Sequence, residues 1–130
     1  MSGIKSSNTG PEIIVRKYLH SLGFRYRLNG KIENVRPDII LHKWKACIFV
    51  HGCFWHRHAD CKLASTPKSN KEFWEEKFAA NIRRDHHVKE KLIGSGWSVG
   101  IIWECSIRNE MIFKTNLKQI IESGCSFIIE

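Results

Sequence analysis

The chain has 130 residues, 42% of them hydrophobic, so it is long enough to bury a core and too apolar for a disordered chain. Its apolar runs fall well short of the roughly 20 residues that span a bilayer, which argues against a transmembrane protein. The net charge of +8 favours a polyanionic partner such as nucleic acid, although a basic protein without such a partner would carry the same charge.

The first predicted element is a helix. Thr9 and Glu12 have the spacing of a capping box, and Gly23 is placed to end the helix. Residues 24–28 alternate in polarity, which predicts a short strand. The dipeptide Asn29-Gly30 that follows is a turn signal.

The stretch RPDIILHKWKACIFVHG predicts two strands, residues 38–41 and 46–50, joined by a tight polar turn. The second strand is continuously apolar, as expected for a central strand. A polar loop at 62–69 then precedes a predicted helix at 70–93, which Gly94 and Gly96 are placed to end. The last predicted elements are a strand at 97–104, a helix at 110–122 and a strand at 126–129. This order predicts an α/β fold with a mixed sheet, in a single domain over residues 1–130.

The five cysteines point to metal binding or buried thiols. The N-terminus has no apolar segment like that of a signal peptide, so we expect an intracellular protein with reduced thiols. Cys47 lies within the apolar strand and Cys125 lies beside the terminal strand. We expect both to be core or surface thiols, not metal ligands.

A zinc site is predicted in the stretch HGCFWHRHADC. Cys53, His58 and Cys61 follow the spacing C-x4-H-x2-C, and thiolate and imidazole are the ligands that zinc prefers. A structural zinc site needs four ligands, and Cys105, just past a predicted strand, is the natural fourth. The alternative is that these are unrelated thiols.

Asp38 and His51 lie at the ends of two neighbouring predicted strands. If the strands pair, a carboxylate and an imidazole meet at one edge of the sheet, where they can hold a divalent ion and activate water. Each residue alone has a simpler explanation: Asp38 as a turn residue, and His51 as a hydrogen-bond partner of the backbone.

Five segments resemble, in order and spacing, the very-short-patch mismatch-repair endonucleases, which are bacterial DNA nickases. They are NTGPE, RPDIIL, CIFVHGCFWHRHADC, EFWEEKFAANIRRD and GWSVGIIWEC, and they span roughly residues 1–108. The central segment is the most specific, because it combines HGCFWH with the zinc spacing.

The resemblance implies a restriction-endonuclease-like mixed sheet flanked by helices, with an added structural zinc site. It implies that Asp38 binds magnesium together with the backbone carbonyl of Val50. His51 and Glu12 would hold water ligands of that metal. Nucleases of the wider fold often carry a D…(D/E)-x-K pattern, which KACIFVH lacks, so the chemistry would depend on histidines.

The resemblance also makes His56 the general base that activates the attacking water, with Asp85 orienting its ring. A neutral imidazole suits this role near pH 7, and a carboxylate behind it fixes the tautomer. Asp85 has an alternative role as a surface ion-pair partner of Arg84 or Lys89.

The remaining implied roles concern zinc and DNA. The family's zinc ligands match Cys53, His58, Cys61 and Cys105. Its DNA-wedging aromatics match Phe54, Trp55 and Trp74, and positions facing the mispaired bases match Lys77 and Asn81. Alternatively, Phe54 and Trp55 cover the zinc and Trp74 belongs to the core.

The function implied is nicking of one DNA strand beside T·G mismatches, which arise when 5-methylcytosine deaminates. The expected setting is a monomer in the bacterial cytoplasm, functionally linked to a DNA cytosine methyltransferase. Residues 1–8 would be a shortened remnant of the family's DNA-wrapping N-terminal arm. The alternatives are a site-specific endonuclease of homing or restriction type and a non-catalytic zinc DNA-binding module.

Overall fold

A computed structural model of the protein describes residues 10–27, 30–53, 56, 61 and 68–130. None of the helices within these residues has both the length and the apolar character needed to cross a membrane.

The described residues form a mixed sheet in the order β1-β2-β3-β4. Its strands are β1 (Ile39–Leu41), β2 (Ala46–His51), β3 (Ser98–Trp103) and β4 (Phe127–Ile129). β1 and β2 are antiparallel and are joined by a turn of 3₁₀ helix at His42–Trp44, whereas β3 and β4 follow parallel to β2. The sequence-based prediction of a mixed sheet with CIFV in an inner strand is confirmed.

The helices lie on both faces of the sheet. They are α1 (Gly10–Ser21), α2 (Lys71–Gly94), α3 (Glu104–Arg108), α4 (Met111–Lys114) and α5 (Leu117–Glu122). α2 is the crossover between parallel strands β2 and β3, and α3 to α5 connect β3 to β4. Parallel neighbours require such crossovers, and helices on both faces bury the sheet.

Alternate residues of each strand supply two separate cores. One face packs against α1, α3, α4 and α5, through residues that include Val15, Leu19, Ile48, Ile102 and Ile121. The other face packs against α2 through a smaller cluster that includes Ile40, Cys47, Leu92, Val99 and Ile101. The period of two along a strand explains why adjacent residues of β2 enter different clusters.

Glycines end the two longest helices as predicted. Gly23 and Gly96 have φ of 91° and 90°, a left-handed conformation that glycine adopts without a Cβ penalty. After Gly96, the amide of Trp97 donates to the carbonyl of Leu92 at 3.0 Å, which closes a Schellman motif. β3 can therefore start immediately after α2.

Two predicted elements are wrong. Residues 24–27 make only an isolated antiparallel bridge, between Arg27 and Ile40, in place of a regular strand. The predicted helix at 110–122 is split into α4 and α5, because Thr115 is extended and Asn116 caps α5 by accepting a hydrogen bond from the amide of Gln119. The capping box at Thr9, the turn at Asn29 and most of the loop at 62–69 lie outside the described residues.

Candidate active site

The candidate site lies at the edge of the sheet where β2 and β3 both end. These parallel strands pair His51 with Trp103, so the residues that follow each of them lie side by side. After β2 the chain turns sharply, and the amide of His56 donates to the carbonyl of Gly52 at 3.1 Å. This turn returns the His56 side chain to the end of the sheet.

His56 contacts a histidine on one side and a carboxylate on the other. Its ring stacks on that of His51, with the centroids 3.9 Å apart and the planes 5° from parallel. Its Nδ1 lies 2.5 Å from Oδ2 of Asp85, which α2 presents toward the sheet. The structure thus brings three predicted site residues together, and Asp85 partners His56 in place of Arg84 or Lys89.

Trp103 packs edge-on against both imidazoles. Its ring centroid lies 5.1 Å from that of His51 and 6.4 Å from that of His56, at interplanar angles of 78° and 75°. Trp103 lies within the strand predicted at 97–104 and had no predicted role in the site. Its position directly before Glu104 and Cys105 is a sequence signal for a place near the site. The parallel register that pairs it with His51, however, cannot be derived from the sequence pattern.

His51 is held in its neutral form. Burial and the adjacent His56 together lower the pKa of His51 to about 4, against the opposing effect of Asp85. Its Nδ1 is buried and has no hydrogen-bond partner within the described part of the chain. A buried polar atom without a partner is costly, so this nitrogen is suited to bind a water or another ligand.

Asp38 lies at the same end of the sheet, beside the last residues of β2. Its Oδ2 accepts a hydrogen bond from the amide of Val50 at 2.7 Å. Burial and the nearby charge of Glu12 together raise the pKa of Asp38 to about 6, against the effect of the hydrogen bond from Val50. Glu12 is itself buried, with Oε2 3.3 Å from Nη2 of Arg16. The described residues thus hold two carboxyl groups whose charges interact.

These groups favour different kinds of metal. His51, His56 and Asp85 offer ligand atoms within 4.8 Å of one another, but His56 and Asp85 already bond each other. Two imidazoles and one carboxylate suit a transition metal, whereas magnesium prefers carboxylate oxygens. Asp38 and Glu12 therefore fit magnesium, and His56 with Asp85 fits a base with its orienting group.

Three thiols form a second cluster beside the histidines. Sγ atoms of Cys53, Cys61 and Cys105 lie within 4.8 Å of one another, and this group could hold zinc. Burial raises the pKa of Cys53 to about 12 and also raises that of Cys105. Crowded neutral thiols of this kind are what zinc would deprotonate on binding. His58 lies outside the described residues, whereas Cys47 is buried and Cys125 exposed, as predicted.

The N-terminal half of α2 presents aromatic and polar groups. Trp74 is half-buried and stacks on buried Phe78 with ring centroids 5.6 Å apart, so it contributes partly to packing. Phe73 is 58% exposed, and Nζ of Lys77 lies 5.9 Å from its ring centroid. Asn81 accepts a hydrogen bond from Arg84 at 2.7 Å. The predicted wedges Phe54 and Trp55 lie outside the described residues.

Comparison with known proteins gives consistent relatives. The family model described as DNA mismatch endonuclease Vsr matches residues 1–63. The type II nicking enzyme V.NmeAIP of Neisseria meningitidis is 42% identical, with 93% of this chain and 86% of the relative aligned. The DNA mismatch endonuclease Vsr of Escherichia coli is 36% identical over 83% of this chain and 69% of its own length.

A solved structure supports the fold. The catalytic domain of homing endonuclease I-Bth0305I superimposes with a TM-score of 0.60, covering 88% of this chain and 94% of that domain at 19% identity. At this identity the likeness concerns the fold alone. It confirms the predicted endonuclease-type mixed sheet flanked by helices.

Proposed function

The chain belongs to the DNA mismatch endonuclease Vsr family, and from this membership we propose that it nicks one DNA strand beside a T·G mismatch in a magnesium-dependent reaction. That it is a DNA endonuclease follows from the family. Because deamination of 5-methylcytosine creates T·G mismatches, its functional companion is a DNA cytosine methyltransferase. We propose that residues 1–130 act as one domain and as a monomer.

The hydrogen bond between His56 and Asp85 is the observation that carries the proposed chemistry. With Nδ1–H donated to the carboxylate, Nε2 of His56 is left as an acceptor for a proton. His56 would take a proton from the attacking water as that water bonds to phosphorus. The bond from phosphorus to the 3′ oxygen then breaks and that oxygen takes a proton from solvent water, which leaves a 5′-phosphate and a 3′-hydroxyl.

Magnesium would be held by Asp38 and the backbone carbonyl of Val50, with Glu12 and His51 holding its water ligands. The amide and carbonyl of one strand residue point to the same side of the strand, so the Val50 carbonyl lies on the side of Asp38, whose side chain accepts from the Val50 amide. When bound, magnesium neutralises phosphate charge and polarises the phosphoryl group. The neutral state of His51 keeps a second positive charge out of this site.

Zinc would be held by Cys53, Cys61 and Cys105 together with His58. Cys53 and Cys61 flank His56 in the sequence, while Cys105 belongs to α3. A zinc ion joining them would fix the loop that carries His56 to the end of β3. It would hold Phe54 and Trp55 in place for contact with DNA.

Mismatch recognition would use aromatic residues from this loop and from α2. Trp74 would stack against a base, an interaction worth about 1–3 kcal/mol. Unstacking a mispaired step costs less than unstacking a paired one, so wedging by Phe54, Trp55 and Trp74 favours mismatched sites. Lys77 and Asn81, one helical turn apart on α2, would face the mispaired bases.

A second candidate function is site-specific cutting without a mismatch, which is favoured by the 42% identical relative V.NmeAIP, a type II nicking enzyme. A strand-resolved assay separates the two. It uses one duplex with a single T·G pair in a methyltransferase-type site and its T·A counterpart, each with magnesium and with chelator. We expect nicking only of the T strand of the mismatched duplex and only with magnesium. Cutting of both duplexes would favour the site-specific endonuclease, and binding without cutting would favour a non-catalytic DNA-binding module.

A further inference from the structure

A basic cleft lies apart from the candidate active site, at the outer edge of the sheet. It has a volume of about 520 Å³ and is lined by His20, Gly23, Phe24, Arg25, Tyr26 and Arg27. Both arginine side chains belong to exposed residues. Within the part of the chain that the structure describes, neither guanidinium has an ion-pair partner, and the residues that line the cleft include no carboxylate. The cleft therefore offers two uncompensated guanidinium charges.

The alternation of side chains along residues 24–27 sets the direction in which Arg25 and Arg27 point. Phe24 is buried in the α1-side core and Tyr26 packs against that core, so the intervening Arg25 lies on the other side of the extended segment. Arg27 pairs with Ile40, whose side chain belongs to the α2-side cluster. Paired residues point to the same face of a sheet, so Arg27 lies on the α2 face.

The candidate active site reaches the same face. Cys47 belongs to the α2-side cluster and Phe49 packs against it, which places His51 on that face by the strand period. Asp85 reaches His56 from α2 itself. A duplex that lies against the active site from this side thus extends along the face that carries Arg27.

The register gives the distance between the cleft and the active site. Arg27 is level with Ile40, two residues past Asp38, and the antiparallel direction puts Arg25 two residues further away. At about 3.4 Å per residue these offsets are roughly 7 and 14 Å. A DNA strand advances about 3.4 Å of helix axis per nucleotide, so the offsets correspond to about two to four nucleotides.

We propose that this cleft binds a backbone phosphate of the DNA duplex about two to four nucleotides from the nicked bond, through Arg25 and Arg27. The guanidinium fork matches phosphate geometry and stays charged at all working pH values. The inference rests on the DNA endonuclease function but needs neither the T·G preference nor the magnesium chemistry.

The first test is the salt dependence of binding to a fully matched duplex, in chelator, so that neither mismatch recognition nor nicking affects the result. Each lost phosphate contact lowers the slope of log Kd against log salt by about 0.9. We expect the double variant R25Q/R27Q to lose about one such increment, because both arginines bind the same phosphate. The charge-matched control K114Q/K118Q alters exposed residues of α4 and α5, on the opposite face, and should keep the wild-type slope.

The second test replaces single phosphates by neutral methylphosphonates. Wild type should lose affinity when the neutral group lies about two to four nucleotides from the nick position, and R25Q/R27Q should be insensitive there. Equal slopes for R25Q/R27Q and wild type, or an equal loss in K114Q/K118Q, would overturn the proposal. It would also be overturned if no phosphate position distinguished R25Q/R27Q from wild type. This holds even if free orthophosphate bound only to wild type, because the cleft would then bind phosphate without binding DNA.

Discussion

At the scale of single residues, the His56–Asp85 contact has an internal comparison on the same helix. His86 and Glu90 also pair, at 3.0 Å, but both side chains are largely exposed. Asp85 and His56 are each 25% exposed and lie against His51 and Trp103. Partial burial strengthens the His56–Asp85 contact. The two histidine–carboxylate pairs therefore differ through their environments and not through their residue types.

Asp85→Asn should slow nicking by about 10-fold to 100-fold, because the amide no longer fixes the His56 tautomer through a charged acceptor. The measurement is the single-turnover nicking rate at saturating enzyme. Glu90→Gln is the matched control, since it alters an exposed histidine partner on α2, and it should nick at the wild-type rate. Equal rates for all three proteins would remove Asp85 from the mechanism.

Asp38 makes the stability of the metal-free protein depend on pH. Its pKa is about 6 in the folded chain against an ordinary value of 3.8, so between these values the folded state holds more protons than the unfolded state. The free energy of unfolding therefore falls as pH rises through this range. His51 acts in the opposite direction, because its folded pKa of about 4 lies below 6.5 and its contribution is lost as pH falls.

Asp38→Asn removes the first of these effects. In chelator the variant should exceed wild type in free energy of unfolding by up to about 3 kcal/mol at pH 7, and the difference should disappear near pH 4. Chemical denaturation at several pH values measures it. Magnesium should stabilise wild type more than the variant, and a pH-independent difference would contradict the assignment of the raised pKa.

At the scale of elements, strong periodicity and clear end signals made the prediction reliable. Three elements form as expected: the strand from the apolar run at 46–50, the helix that Gly94 and Gly96 end, and the strand at 97–104. The helix predicted at 110–122 is wrong because Asn116 caps α5 inside the amphipathic run, and such a cap competes with continuation of the helix. The sequence pattern alone does not decide that competition. The strand predicted at 24–28 is wrong because alternating polarity does not by itself provide a neighbouring strand. Residues 24–27 pair with β1 only through Arg27.

The same limit applies to the candidate site. Residues adjacent to strand ends, such as Asp38, His51 and Cys105, could be placed together from the order of elements. The position of Trp103 against the histidines depends on the parallel register of β2 and β3, and the approach of Glu12 to Asp38 depends on how α1 packs on the sheet. Such cross-element geometry is not encoded in any local pattern.

Gly100 is the element-scale feature with the clearest consequence. It pairs with Phe127 across β3 and β4, and a Cβ at this position would overlap the Phe127 ring. Gly100→Ala should destabilise the fold by about 1–3 kcal/mol through overpacking, as measured by thermal or chemical unfolding. Once Gly100→Ala is present, Phe127→Ala should lower the free energy of unfolding by less than it does in wild type. Additive losses would show that the ring does not occupy the space above Gly100.

At the scale of the whole molecule, the thiol cluster would join the loop after β2 to the helix after β3. Cys105→Ser should reduce bound zinc from about one ion per chain to none, lower the melting temperature and weaken nicking, since a zinc site needs its full ligand set. Metal analysis and thermal unfolding measure the first two. Cys125→Ser, an exposed thiol outside the cluster, should retain zinc, and retention by Cys105→Ser would refute the ligand set.

We propose that the site built around His56 performs the cleavage and that other surfaces bind DNA. One paired measurement on His56→Ala tests it most directly: the single-turnover nicking rate and the dissociation constant for the same T·G duplex, with bound zinc determined on the same sample. We expect a loss of nicking of about 10²-fold to 10⁴-fold, typical of a missing general base, with DNA affinity and zinc content retained. Nicking at the wild-type rate, or loss of DNA binding and zinc together with activity, would contradict it.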